Sequence, residues 1–99
     1  MRALVLSVIL CAAVSPAGAG PVERACNASD RSAATRSVCN CIGQVADRML
    51  SGADQRRGAK FFRDPEKAQG VRLNDSAAMD AFWERWTAFG SAAEASCTG

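Results

Sequence analysis

Two cysteines separated by one residue, Cys39 and Cys41, are where this sequence could do chemistry, with Cys26 upstream and Cys97 near the end of the 99-residue chain. Thiolates so placed could hold a soft metal ion, exchange electrons as a redox pair, or enter two separate disulfides. A zinc or copper site would be expected to show paired knuckles or help from imidazole, and the chain contains no histidine. Redox work needs a thiolate stabilised by a cation or a helix start, whereas the apolar periodicity around the pair puts it about three turns into a helix. Structural disulfides are therefore expected, with no metal and no cofactor.

Helix geometry directs the two sulfurs to different partners. At about 100° per residue they point some 200° apart, and a disulfide needs converging Cβ vectors with Cα atoms within about 7 Å. Cys26 and Cys97 are the remaining thiols once Cys11, inside the apolar start of the chain, is set aside. Two connectivities stay open. We favour Cys26 with Cys39 and Cys41 with Cys97, because the short segment after Cys26 can stretch roughly 13 Å back along the helix; the crossed pairing satisfies the spacing nearly as well.

Other chemistry is sparse. With no histidine and no tyrosine, the commonest general acid–base group is missing and Ser-His-Asp or Cys-His nucleophiles cannot be assembled. Asp80 and Glu84, four residues apart, read as a solvated helix surface. No glycine-rich phosphate loop follows a strand, and an enzyme is not expected. Twelve Lys and Arg stand against ten Asp and Glu, too even a balance for a nucleic-acid binder. The charge is unevenly placed, however. Arg56, Arg57, Lys60, Arg63, Lys67 and Arg72 crowd one stretch, and the segment after it is mostly acidic. Arg56, Lys60 and Arg63, with Arg57 and Lys67 beside them, form a candidate anion-binding face for a lipid headgroup, a cell-wall polymer or an acidic protein. A solvated helix exterior is the plainer reading.

The elements that must carry these residues follow from pattern. Met1-Arg2, the apolar run at 3–14 and the small residues Ala17 and Ala19 read as a signal peptide spanning 1–19, cut before Gly20. The run is shorter than the roughly 20 apolar residues of a membrane span. A leucine at position 10 sits where lipoprotein processing at Cys11 would need a small residue. Residues 20–99 then form one small exported domain, periplasmic or secreted. Membrane contact is expected only through the leader or the basic face.

Within that domain, residues 21–27 read as irregular. Ser29 or Asp30 caps a first helix to about Ser51, with Ala34, Val38, Ile42, Val45 and Met49 on one face and Gly52 ending it. Asp54 caps a second through Arg63. Asp64-Pro65-Glu66 starts a short third that Gly70 ends. Asn74 or Asp75 opens a fourth in which Met79, Phe82, Trp83, Trp86 and Phe89 make an aromatic stripe, expected to pack on Phe61, Phe62, Val45 and Met49. Gly90 closes it, and Ser91 to Glu94 caps a last turn bearing Cys97. The fold class is all-α: a disulfide-stapled bundle of three to five short helices.

The chain resembles a family of short exported alphaproteobacterial proteins often given the automatic label "arginine transporter". The resemblance rests on Ala25-Cys26-Asn27, Cys39-Asn40-Cys41-Ile42 followed by Val45-Ala46-Asp47, Asp54-Gln55-Arg56, Ala59-Lys60-Phe61-Phe62-Arg63-Asp64-Pro65, Phe82-Trp83 with Arg85, and Ala88-Phe89-Gly90-Ser91 up to Cys97. It implies an exported protein, at most a periplasmic accessory or ligand-binding component of amino-acid transport, and brings no site residues with it. A helical chain without a spanning segment cannot itself conduct arginine across a bilayer. The leading expectation is a non-enzymatic domain acting through its surface on a protein or envelope component.

Overall fold

The computed structural model describes residues 19–97, so the leader lies outside the described residues except for Ala19. Those residues form five α-helices and no strand: α1 (Pro21–Asn27), α2 (Arg36–Met49), α3 (Gly52–Arg63), α4 (Glu66–Arg72) and α5 (Ala77–Cys97). The molecule is the small all-α bundle that the apolar periodicity predicts.

Its boundaries correct several expectations. The segment read as irregular is α1. Pro21 opens it just after Gly20, Glu23 sits in its first turn, and Val22, Ala25 and Cys26 supply a buried face at helical spacing. Residues 28–35, expected to start α2, are a loop, and Thr35 is the true cap, its hydroxyl accepting a hydrogen bond from the Val38 amide. Cys39 and Cys41 thus lie in the first two turns of α2, not three turns in. Gly52 does not end a helix; it begins α3, capped by Ser51, whose hydroxyl accepts from the Asp54 amide. Asp54, expected as the cap, is thereby moved into the first turn.

Glycine misleads twice more. Gly70 lies inside α4 and Gly90 inside the unbroken 21 residues of α5. Both are exposed, where glycine costs about 1 kcal/mol relative to alanine, too little to break a helix held by packing. Ser76 caps α5 from the residue before it, its hydroxyl accepting from the Met79 amide, and Ser91 lies inside the helix.

The core lies where α1, α2 and α5 meet. Val22, Val45, Ala46, Leu50, Phe89, Ala93 and Cys97 are buried together, with Ile42, Phe62 and Trp86 packed on them. Beside it the aromatic stripe closes against α3. Phe61 meets Phe82 and Trp86 edge-on with ring centroids 6.1 and 5.4 Å apart, and Trp86 lies 5.0 Å from Phe89. Phe82 is fully buried. Such contacts add about 0.5–1.5 kcal/mol per pair beyond area burial. Met49, expected in this core, is 42% exposed, because α2 ends there and the chain turns extended at Leu50, which is buried in its place.

Cys26 is bonded to Cys39 and Cys41 to Cys97, at sequence separations of 13 and 56. The first ties α1 to the start of α2, and the second ties the end of α5 to the next face of α2. Two disulfides point to an oxidising, extracytoplasmic setting. No helix among the described residues is long and apolar enough to cross a membrane.

Candidate anion-binding groove

The basic residues of α3 divide between two grooves. Arg56, Lys60 and Arg63 recur at four and three residues, which stacks them along one edge of the helix, and that edge faces α1. There they meet Arg24. Together with Pro21, Ala25, Ala28 and Ala59 these four cations line an open groove of about 560 Å³. Its floor is small and apolar, its rim is cationic, and none of its lining residues carries a carboxylate.

Arg57 points the other way. Its guanidinium lies 5.1 Å from the Phe82 ring centroid, a cation–π contact. With Lys60, Lys67, Phe61, Gly70, Val71 and Asn74 it lines a second groove of about 380 Å³ between α3 and α4. Lys60 stands on the ridge between the two grooves. The five residues expected as one face are all exposed, but the fold gathers three of them with Arg24 and leaves Arg57 and Lys67 around the corner. Asp64 lies beside Lys60, Arg63 and Lys67, so that end of the basic surface is partly neutralised.

Arg24 escaped the sequence reading because α1 did. Once Pro21 is taken as the first helical residue, Arg24 falls opposite buried Cys26 and Val22 and must face outward. In the structure its Nη1 donates to the Ala19 carbonyl at 2.6 Å.

A second feature missed in the sequence is the pair Asp54 and Arg85. Asp54 is buried, and Arg85 donates to both of its oxygens, from Nε at 2.6 Å and from Nη2 at 3.1 Å. This bidentate bond joins the first turn of α3 to the middle of α5. The Arg85 hydrogen bonds hold the Asp54 carboxyl below its ordinary value of 3.8; burial opposes them, and the charges of Arg85 and Arg57 add to the lowering. A depressed folded value contributes stability that is present above the unfolded value and lost as pH falls through the folded one. The wild type should therefore lose stability more steeply below about pH 4 than Asp54→Asn, as followed by acid titration of helical circular dichroism. Parallel acid limbs would rule out this contribution.

Comparison with protein-family profiles, with curated proteins and with solved structures returns no match.

The four cysteines among the described residues are paired in the two disulfides that join α1 and α5 to α2. No metal-ligating group of three or more His, Cys, Asp or Glu occurs among the described residues. Asp80 and Glu84 are exposed on α5.

Proposed function

We propose that this protein is a non-enzymatic binding domain, periplasmic or secreted, that engages an anionic component of the cell envelope through the groove between α1 and α3. One observation carries the reading: Arg24, Arg56, Lys60 and Arg63 surround an apolar floor with no carboxylate among the lining residues. Cations that share one groove raise each other's potential and attract an anion more strongly than the nearly neutral molecule does as a whole. The floor of alanine and proline suits a ligand that carries apolar atoms beside its charge, as a lipid headgroup does at its glycerol end.

The same geometry speaks against a free guanidinium ligand. A ring of cations repels it, and the buried carboxylate that could hold it, Asp54, is already occupied by the chain's own Arg85. Saturating arginine at 100 times its dissociation constant would add about 2.7 kcal/mol to the stability of a true binding component. We expect an unchanged melting temperature.

Vesicles of phosphatidylglycerol and phosphatidylcholine test the main reading. Each cation near such a surface contributes about 1 kcal/mol, so Arg56→Gln, Lys60→Gln and Arg63→Gln should each weaken sedimentation with anionic vesicles roughly fivefold. Binding should fall from low salt to 0.2 M, where the Debye length is under about 10 Å. Equal binding to purely zwitterionic vesicles, or variants that bind like the wild type, would refute it.

A further inference from the structure

Gln55, near the start of α3, is 5% exposed, and its two amide atoms have different fates. Nε2 donates to Asp47 Oδ1 of α2 at 3.0 Å. Oε1 is buried and has no hydrogen-bond partner among the described residues. An unsatisfied buried carbonyl costs about 1–3 kcal/mol, so a native structure that keeps one calls for a donor. The main chain beside it is Gly20. A Cβ placed on Gly20 would stand 2.8 Å from Gln55 Oε1 and 3.1 Å from Asp47 Oδ1. The orphan acceptor and the carboxylate therefore flank a single residue of the chain, and its missing side chain leaves them room.

Gly20 is also the residue before which the Ala17-Gly18-Ala19 pattern would be cut. In the uncut chain its nitrogen is an amide with one hydrogen. Hydrolysis of the Ala19–Gly20 peptide bond adds water across it, leaving a carboxylate on the departing Ala19 and an ammonium with three donors on Gly20.

We infer that the α-ammonium of Gly20, created by cleavage after Ala19, is a structural ligand of this fold: it docks between Gln55 Oε1 and the Asp47 carboxylate and pins the start of α1 to α2 and α3. The cations nearby are those of the groove that Pro21 also lines, Arg24 of α1 and Arg56, Lys60 and Arg63 of α3. Asp47 faces it from α2, Gln55 from α3 is neutral, and on α1 itself the nearest cation is Arg24, whose guanidinium is held by the Ala19 carbonyl. Glu23 is turned toward Gly43 and Asn40 of α2. Cleavage removes the carbonyl that Arg24 grips and leaves that guanidinium to the α1–α3 groove, while Asp47 remains to compensate the new ammonium. Docking itself depends on Asp47 and Gln55, not on what the groove binds.

The full chain, exported to a bacterial periplasm and purified, supplies the test. Intact mass should give a mature protein beginning at Gly20. Its α-ammonium, followed by NMR, should titrate above the ordinary α-amino range of about 7.7–8.0 and return to that range in Asp47→Asn. A raised folded value stabilises below the unfolded one and is lost as pH climbs through it. The melting temperature of the wild type should accordingly fall between about pH 8 and 10 more than that of Asp47→Asn. A mature chain beginning elsewhere would overturn the inference. So would an α-ammonium that titrates in the ordinary range in both proteins.

Discussion

Replacing the Cys41–Cys97 bridge with alanines should cost the protein about 4 kcal/mol, because the bond closes a loop of 56 residues in the unfolded chain. The same change at Cys26 and Cys39, at a separation of 13, should cost about 3 kcal/mol. Small domains have only about 5–15 kcal/mol in all, so the first variant would lose from about a quarter to most of its stability. Its melting temperature should fall by about 20 °C. The loss is more than chain entropy. Cys97 is buried with Phe89 and Ala93 on the side of α5 that covers Val45 and Ala46, and freeing it lets the last turns of α5 fray away from α2. Thermal melts of the two double variants beside the oxidised wild type provide the measurement. If the short-loop variant proved the weaker one, the long bridge would not be the main clasp.

The second large effect concerns Gly58, in the middle of α3. Sequence reasoning would place a better helix former there, and substitution by alanine in an exposed helix would add about 1 kcal/mol. Here the position is buried beneath Trp86. An alanine Cβ would lie 2.0 Å from Trp86 Cζ3 and 2.4 Å from Cη2, inside the van der Waals boundary of a rigid ring. That ring is itself packed on Phe61, Phe82 and Phe89 and has little freedom to retreat. Gly58→Ala should therefore destabilise by about 2–3 kcal/mol, the upper part of the range for overpacking. In a Trp86→Leu background the added penalty of Gly58→Ala should largely vanish, since the two residues contact each other and their effects are coupled. A Gly58→Ala protein that melts above the wild type would show that Trp86 does not seat where α3 gives way.

These two positions show what could be read from residue order and what could not. The apolar stripes of α2 and α5 were legible, because Val45, Phe82, Trp86 and Phe89 repeat at three and four residues whatever they pack against. The divergence of Cys39 and Cys41 was legible too, since it follows from helix geometry alone; the choice between two pairings was not. Helix ends were the weak point. Gly52, Gly70 and Gly90 looked like terminators, yet each sits in a helix, and glycine's modest local penalty is outweighed by a partner helix alongside. Pro21 carries the opposite signal, a helix start, and α1 and the outward Arg24 follow from it. Half of the groove was visible on α3 as Arg56, Lys60 and Arg63. Its facing wall, the separation of Arg57, and the Asp54–Arg85 bond depend on contacts between residues far apart in sequence, which no local pattern records.

The position of Cys97 sets the order in which the protein can be finished. A chain threaded through a membrane from its amino end delivers Cys26, Cys39 and Cys41 close together, while the partner of Cys41 trails it by 56 residues. For that interval an oxidant meets three thiols and only one native pair, so a premature Cys26–Cys41 link competes with the proper one and must be undone by thiol–disulfide exchange. If the chain is exported as proposed, its yield should depend on a disulfide isomerase as well as on the oxidase that forms the bonds.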